Sequence, residues 1–538
     1  MRAPEHRLMP GILLATAAFA MVWAIARAAV QSITIDEAVT YLAFVRPGLE
    51  WWPGTNNHLL NSLLMRLFTL LFGPSHLSVR APALIGAALY ISASYRLCRL
   101  LGKNMPGENM SAPASSGGSI AVAWPLLVCL VYNPFVFDYL VAARGYGLAL
   151  GFLMWAIVVA AESHIPESNG AASSEAEEPR RWSLTVACAV SSACAGLSFA
   201  ANLTFAFVDF CTLVAVFLAA CIVTRRAAFA DGAGGGRAYV RLLAACSIPA
   251  LIVTALLPAS IVLRWPKGEL WYGANSLGET FLTLTAASLY QLNSELLSPF
   301  LYRAIDASKY YLWPLLGVVS AACVAYHVWP RRAPARPRNQ FAQLATALAA
   351  ILTATLAIHW LCFRVFHLLL PKDRTGIYVV PLTLAMVGAV AALPTRALRR
   401  GLIAVLFVMA GYFLLCMRLQ FFKDWQWDAD VKDVYPVLAC LDQDRDVRDV
   451  ATFWMYATPL NFYRVQSGRE SLAAFDGEVP YRPEQRVLVL NSLLEADVLA
   501  TRGLKVLYHG KSTDVVIAAT PDLEPSLKSS ACLARPWP

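Results

Sequence analysis

Two adjacent carboxylic acids, Asp36 and Glu37, follow directly after the first long apolar segment of the chain. A carboxylate held against a membrane by apolar helices on both sides can act as a general base at the lipid–water boundary. Because neighbouring side chains diverge on a helix or a strand, we expect one of the two to be catalytic and the other to support it. Two solvated acids in a surface loop are the alternative interpretation.

Basic side chains occur in two short connections between later apolar segments. Arg144 lies in DYLVAARGY, and Lys372 and Arg374 lie in PKDR. A guanidinium fork binds phosphate well, and a lysine ammonium does so as a point charge, so these residues are candidate phosphate ligands. An ion pair between Arg144 and Asp138, snorkelling to lipid head groups and a solvated turn are the alternatives.

The sequence NNH at Asn56, Asn57 and His58 opens an apolar stretch, His58–Phe72, with helical spacing. The stretch is short for a membrane span and predicts an amphipathic helix in the plane of the interface. His58 is more typical of a capping or hydrogen-bonding residue, and contact with a sugar or phosphate is its functional interpretation.

The composition is that of a polytopic membrane protein. Of 538 residues, 58% are hydrophobic and 15% are charged, and the mean hydropathy is +0.53. Soluble proteins are about 45–50% apolar and about 25% charged. About eleven segments approach the roughly 20 residues that a span requires: Gly11–Val30, Ala81–Leu101, Ile120–Phe137, Tyr146–Ala161, Leu184–Ala200, Phe205–Val223, Leu242–Val262, Tyr311–Val328, Phe341–Leu370, Ile377–Leu393 and Leu402–Met417.

Arginines concentrate in every second connection, which predicts the orientation through the positive-inside rule. The N-terminus is expected in the cytoplasm and the C-terminus outside, in the cell (inner) membrane of a bacterium. The basic connections carry Arg96, Arg99 and Lys103; Arg180 and Arg181; Arg225, Arg226 and Arg237; Arg331, Arg332, Arg336 and Arg338; and Arg396, Arg399 and Arg400.

The tail differs from the rest of the chain. We expect a transmembrane domain over residues 1–420, with its first outer loop at 31–80, and a small α/β extracytoplasmic domain over 421–538. From Phe421 onward there are 13 basic and 17 acidic residues. Strand-like runs (Asp449–Trp454, Arg486–Leu490, Leu504–His509, Asp514–Ala518) alternate with helical spacing (Val431–Leu441, Thr458–Tyr463, Leu493–Arg502). Cys440 and Cys532 would be free to pair in an oxidising compartment, and spacing alone leaves this open.

Several short motifs together resemble the GT-C glycosyltransferases, in particular the superfamily of protein O-mannosyltransferases and ArnT-like aminoarabinose transferases. They are Asp36-Glu37-Ala38 with Tyr41, Asn57-His58-Leu59-Leu60-Asn61, Arg80-Ala81-Pro82, Ala143-Arg144-Gly145-Tyr146 and, more loosely, Arg374 with Tyr378. The sequence departs from the pattern at Leu59, where many relatives have proline, and at Gly145, where a bulkier residue is expected.

The resemblance implies a membrane glycosyltransferase with a polyprenyl-phosphate sugar as donor, an extracytoplasmic acceptor and inversion at the anomeric carbon. Asp36 would be the base, with Glu37 supporting it or contacting the acceptor. Arg144, Lys372 and Arg374 would hold the phosphate. Substrate contacts would come from His58, Asn57, Tyr41, Tyr146 and Tyr378.

No cofactor is predicted. A divalent cation is left open, but only Asp36, Glu37 and His58 offer ligands, which are too few to predict one. Membrane lipid is an expected partner, and nucleic acid is not, since no basic surface with interleaved aromatic residues occurs. The alternatives to an enzyme are a transporter or a lipid-linked-sugar flippase, and a non-catalytic scaffold whose tail binds a partner.

Overall fold

The computed structural model describes residues 5–48, 52–54, 56–103, 116–165, 182–231, 236–265, 272–289, 303, 306–307, 310–328, 340–393, 396–469 and 471–534. Two of the predicted arginine-rich connections, with Arg180, Arg181, Arg331, Arg332, Arg336 and Arg338, lie outside these ranges.

Sixteen helices form the part of this described chain before the tail. They are α1 (Glu5–Val30), α2 (Ile35–Val39), α3 (Leu59–Phe72), α4 (His76–Lys103), α5 (Ser116–Val131), α6 (Pro134–Val141), α7 (Tyr146–His164), α8 (Leu184–Ala201), α9 (Ala206–Asp231), α10 (Gly236–Leu256), α11 (Ala259–Val262), α12 (Leu277–Ser288), α13 (Leu312–Val328), α14 (Gln340–Phe366), α15 (Val379–Ala391) and α16 (Arg396–Leu415). Short 3-10 turns lie at Leu203–Phe205, Asp373–Gly376 and Lys423–Asp428, and a π-helix at Thr40–Val45 continues α2.

The described chain is a multi-pass membrane protein. Nine of its helices are long and apolar enough to cross a bilayer, and α5 and α6, which are bent by 54° at the break between them, bring the number to ten if the pair counts as one span. All eleven predicted segments fall on helices, but the segment Tyr311–Val328 forms only the shorter α13 of 17 residues. The stretch after His58 forms α3, which buries Asn61 and Ser62 and exposes Leu70 and Phe72, as an amphipathic helix does.

Two spanning helices occupy the centre of the bundle. In an apolar 18-residue stretch of each span, 89% of the residues are buried in the span that contains α15 and 83% in α7. The corresponding share in α10 is 11%. Helix α7 crosses α4 closely, because a Cβ on Gly86 would lie 2.3 Å from the carbonyl carbon of Gly147. Small residues at a crossing allow such an approach between membrane helices. The central helices begin just after Arg144 and Arg374, so the bundle fixes where those two cations lie.

The tail contains the predicted mixture of strands and helices. Its elements are α17 (Val431–Arg445), β1 (Val450–Thr452), α18 (Trp454–Ser467), β2 (Val487–Asn491), α19 (Ala496–Thr501), β3 (Lys505–His509), β4 (Val515–Ala519), α20 (Glu524–Lys528) and α21 (Ala531–Ala534). The strands form one sheet in the order β1-β2-β4-β3, parallel between β1 and β2 and antiparallel elsewhere. Every residue of β2 and β4 is buried. Cys440 and Cys532, whose pairing the sequence left open, form a disulfide that joins α17 to α21.

The corner between α6 and α7 explains why position 145 is glycine, where the sequence motifs led us to expect a bulkier residue. Gly145 has φ +73°, and a Cβ there would lie 2.2 Å from the carbonyl oxygen of Ala201 and 3.0 Å from the Cβ of His58. A bulkier residue would therefore be strained in its backbone and would also collide with α8.

We expect Gly145→Ala to lower the thermal unfolding temperature in detergent. The backbone conformation alone would reduce the free energy of unfolding by about 1–3 kcal/mol. The matched control is Gly411→Ala within α16, where nothing lies within 4 Å of the added Cβ. Equal unfolding temperatures for the two variants would contradict the packing described for this corner.

Candidate active site

A cavity of about 490 Å³ opens at the end of the bundle where α7 and α15 begin, and we call this end the cavity end. Five of the predicted site residues line it: Asn57, His58, Arg144, Tyr146 and Arg374. Its apolar wall includes Phe199, Leu203, Phe207, Leu369 and Leu370. The cavity thus joins a basic region to an apolar region.

Asp36 is not among the residues that line this cavity, but it forms an ion pair with Arg144, which does line it. Arg144 Nη1 is 2.5 Å from Asp36 Oδ1, and the arginine side chain is 2% exposed whereas that of the aspartate is 18% exposed. Asn56 bridges the pair, because its Nδ2 donates to Asp36 Oδ1 at 3.3 Å and its Oδ1 accepts from Arg144 Nη1 at 2.8 Å. The second carboxylate oxygen, Oδ2, accepts a hydrogen bond of 2.9 Å from the indole N–H of Trp425.

The alternative partner for Arg144 was Asp138, and that interpretation is wrong. Asp138 instead lies 2.6 Å from Arg27 Nη2 of α1, and both side chains are buried. The remaining oxygen of Asp138 accepts from the backbone N–H of Lys423. Arg144 therefore pairs with Asp36 and Asn56 and not with Asp138.

Opposing effects set the pKa of Asp36. Burial raises the pKa, but the charges of Arg144 and Arg374 and the hydrogen bond from Trp425 together lower it by more. The pKa therefore lies below its ordinary value of 3.8. The carboxylate is ionised at neutral pH, as a general base must be.

Arg374 is a cation that the cavity leaves accessible. Its guanidinium lies 4.5 Å from the centre of the Tyr272 ring. Among the described residues no carboxylate lies within 4.0 Å of it, since Asp373 bonds to the Tyr272 hydroxyl and to the backbone N–H of Arg374. A half-buried guanidinium without a carboxylate, on a cavity wall, suits an anionic ligand.

Lys372, predicted as a phosphate ligand, does not reach this cavity. Its Nζ lies 3.0 Å from Glu279 Oε1 of α12, and both side chains are about one third exposed, at 33% and 31%. The turn at Asp373–Gly376 directs Arg374 inward and leaves Lys372 on the surface. Its assignment is corrected to a surface ion pair.

Glu37, predicted as catalytic, is fully buried and cannot touch a substrate where it stands. Arg80 donates to both of its oxygens, from Nε at 2.8 Å and from Nη2 at 2.7 Å. The backbone N–H groups of Thr34 and Ala143 donate to it as well, at 3.0 and 2.8 Å. Glu37 is therefore a positioning residue that ties α2 to α4 and to the residue before Arg144.

His58 contributes a neutral imidazole to the cavity. Burial, and then the charge of Arg144, lower its pKa to about 3, against an opposing effect of Asp36. It occupies the N-cap position of α3 without a capping hydrogen bond from its side chain. Its ring packs edge-on against Tyr146, with ring centres 5.7 Å apart. An uncharged ring suits a hydroxyl group better than a phosphate.

Two predicted substrate contacts, Tyr41 and Tyr378, lie away from the cavity wall. Tyr41 is buried and packs edge-on against Phe462 of α18, with ring centres 5.4 Å apart. Tyr378 is fully buried, and its hydroxyl lies 2.8 Å from His359 Nε2. His359, rather than Tyr378, reaches the cavity. Both tyrosines are corrected to packing and supporting residues.

The described residues contain no cluster of three His, Cys, Asp or Glu side chains that could hold a metal ion. The sequence analysis named Arg80 only as part of a short motif and gave it no role, although it is the buried partner of Glu37, and it missed Trp425, which lies beyond the last apolar helix.

We expect Glu37→Gln to destabilise the folded protein by about 3–5 kcal/mol, because it leaves the Arg80 guanidinium buried and unpaired. Arg80 and the backbone donors outweigh burial and lower the pKa of Glu37 below 4.5. The contribution of its ionised form to stability is thus present above pH 4.5 and is lost as the pH falls through the lower folded-state pKa. Unfolding in detergent at several pH values measures both effects.

The control for that variant is Glu279→Gln, the same chemical change in the exposed pair with Lys372, which should alter unfolding little. If both variants unfolded like the parent protein, Glu37 would not have the positioning role described.

No model of a known protein family and no curated protein sequence matches the chain. Among solved structures, it is similar to ArnT from Cupriavidus metallidurans in the apo state, with 14% identity over 98% of both chains and a TM-score of 0.37. The same enzyme bound to undecaprenyl phosphate gives 12% identity over 94% of this chain and 97% of that chain, with a TM-score of 0.37. Similarity at this level assigns neither a family nor an activity, so the function rests on the residues of the site.

Proposed function

We propose that this chain is an integral-membrane glycosyltransferase of the GT-C type. It transfers a sugar from a polyprenyl-phosphate donor to an extracytoplasmic acceptor, with Asp36 as general base. The observation that carries the proposal is the ion pair of Asp36 with Arg144 beside a cavity that also presents Arg374.

The cavity matches a ligand with a charged head and an apolar chain. Arg374 and Arg144 provide positive charge at one part of its wall, and side chains such as Phe207 and Leu369 make another part apolar. A nucleotide sugar has no apolar chain to fill such a wall. A polyprenyl phosphate has both features, and its phosphate travels at the membrane surface.

The reaction is a single displacement at the anomeric carbon. The acceptor O–H bond breaks as its proton passes to the Asp36 carboxylate, and the acceptor oxygen bonds to the anomeric carbon. The bond from that carbon to the phosphate oxygen breaks, and the electron pair leaves with the polyprenyl phosphate. The configuration inverts, because the bond forms on the face opposite to the one that breaks.

The leaving group is already acidic, so it requires no general acid. Positive charge from Arg374 and Arg144 stabilises the phosphate as its charge develops. The proposal requires no metal or other cofactor, and transfer that persists in a chelator such as EDTA would support this part of it.

Two observations support an extracytoplasmic site. Helices α4 and α9 run away from the cavity end, whereas α10 and α16 run toward it. Their ends far from the cavity carry the arginines of the described connections, including Arg99, Arg225, Arg237 and Arg396, as a cytoplasmic side does. The disulfide of the tail lies on the cavity side and suits an oxidising compartment.

A transporter is the main competing proposal. Secondary transporters bind their substrates near the midplane between repeats, whereas this cavity and its charges lie at one end of the bundle. Flux of a lipid-linked sugar in sealed vesicles without any covalent product would favour a flippase and would contradict the enzyme.

We expect Asp36→Asn to lower sugar transfer by about 10²–10⁴-fold, the usual contribution of a general base. Transfer is measured from a radiolabelled polyprenyl-phosphate sugar to a mixture of cell-envelope acceptors. Asp446→Asn, the same change at a side chain 73% exposed in the tail, should retain full turnover. Unchanged turnover in Asp36→Asn would remove the proposed mechanism.

We expect Arg374→Gln to raise the KM for the donor about tenfold or more, because it removes a charge-assisted phosphate contact. Lys372→Gln, two residues away and outside the cavity, should leave that KM unchanged. A larger effect from Lys372 than from Arg374 would reverse the assignment of the phosphate ligand.

A further inference from the structure

The segment that follows the last apolar helix contributes a hydrogen bond to Asp36. Trp425 lies in the 3-10 turn Lys423–Asp428, and its indole Nε1 is 2.9 Å from Asp36 Oδ2. The residue is 5% exposed, and its ring packs edge-on against Tyr139, with ring centres 5.2 Å apart, and against Phe422 at 5.9 Å. The indole is thus buried and held on two sides.

Contacts on both sides of Trp425 fix this turn to the membrane helices. Arg27 donates to the carbonyl oxygen of Phe421, and the backbone N–H of Lys423 donates to Asp138. Tyr139 donates to Asp424 at 2.9 Å, and Asp428 accepts at 2.8 Å from the backbone N–H of Ile35, the residue before Asp36. The same turn therefore determines the position of the indole and of the chain that carries the base.

The donors around Asp36 are divided unequally between its two oxygens. Oδ1 accepts from Arg144 and Asn56, which together occupy its two lone pairs. Oδ2 accepts only from Trp425 among the described residues, which leaves one lone pair for a proton.

From this geometry, and resting on the proposed function, we infer that Trp425 is the residue that orients the base and that Oδ2 of Asp36 is the atom that receives the proton. An indole N–H donates without titrating and cannot accept a proton. It therefore fixes the carboxylate plane without competing for the proton of the acceptor hydroxyl. The tail segment is in this way a part of the catalytic site.

The test is Trp425→Phe, which keeps an aromatic ring against Tyr139 and removes the N–H. We expect kcat to fall about tenfold or more, since a hydrogen bond to a charged acceptor is lost. The KM for the polyprenyl-phosphate sugar should stay close to that of the parent, while the unfolding temperature falls modestly because one hydrogen bond is lost. A merely structural role would not separate kcat from KM.

The pH profile provides a readout specific to orientation of the base. Losing the Trp425 donor raises the pKa of Asp36, so the acid limb of kcat should move to higher pH. The other groups that act on Asp36 stay in place: Arg144, Arg374, Asp428 and the neutral His58.

Burial and nearby carboxylates raise the pKa of Asp424, the residue before Trp425, to about 7. Its titration adds a separate limb to the pH profile of kcat. For this reason the profile is compared with that of Trp427→Phe, a variant of the exposed tryptophan in the same turn. Wild-type kcat and an unshifted acid limb in Trp425→Phe would overturn the inference while the parent enzyme still transfers sugar.

A second measurement does not depend on activity or on the folding of Trp425→Phe. In protein with ¹⁵N-labelled indoles, Asp36→Asn should shift the N–H signal of one of the 15 tryptophans strongly, because that indole loses its charged acceptor. If no indole signal moved, the bond would be absent and the inference would fail. Absence of sugar transfer in the parent protein would instead contradict only the proposed function.

Discussion

The ion pair between Asp36 and the buried Arg144 is the interaction on which the rest of the site depends. Arg144 is 2% exposed, and a charge so far from water is tolerated only with a partner held in place. The partner, Asp36, lies at the start of the first loop, more than a hundred residues earlier in the chain. Neither residue can move alone, so the pair fixes the distance between α2 and the start of α7.

A second buried pair supports the first. Glu37 and Arg80 join α2 to α4, and Glu37 also accepts from the backbone just before Arg144. Adjacent acids thus serve different purposes because their side chains diverge. Glu37 is enclosed by hydrogen-bond donors and keeps the helices together, whereas the side chain of Asp36 stays 18% exposed and negatively charged. Both are kept ionised by nearby guanidinium groups.

Much of the fold could be predicted from the sequence, because apolar length and strand-like runs are local signals. All eleven apolar segments and all four strands of the tail are found, although α13 is shorter than a span. The identity of charged partners is not a local signal. Asp138 is six residues from Arg144 but forms its ion pair with Arg27, which is more than a hundred residues away in the chain.

The site was predictable to the extent that its residues stand out by position. Arg374 is a basic residue between spans and does line the cavity, whereas Lys372 has the same signal and faces away, since one turn of backbone decides their directions. Trp425 was missed because an aromatic residue after a membrane helix is ordinarily an interface anchor. The clustering of aromatic and acidic residues in FFKDWQWD was the only local sign of another role.

The proposed mechanism requires a lipid phosphate to bind beside Asp36 and to engage guanidinium groups from two distant parts of the chain. An experimental structure of the protein in lipid nanodiscs with a polyprenyl phosphate tests it most directly. We expect phosphate density within hydrogen-bonding distance, about 3 Å, of Arg374 and next to Arg144. Phosphate bound at the opposite, arginine-rich end of the bundle, with the cavity at Asp36 left empty, would contradict it.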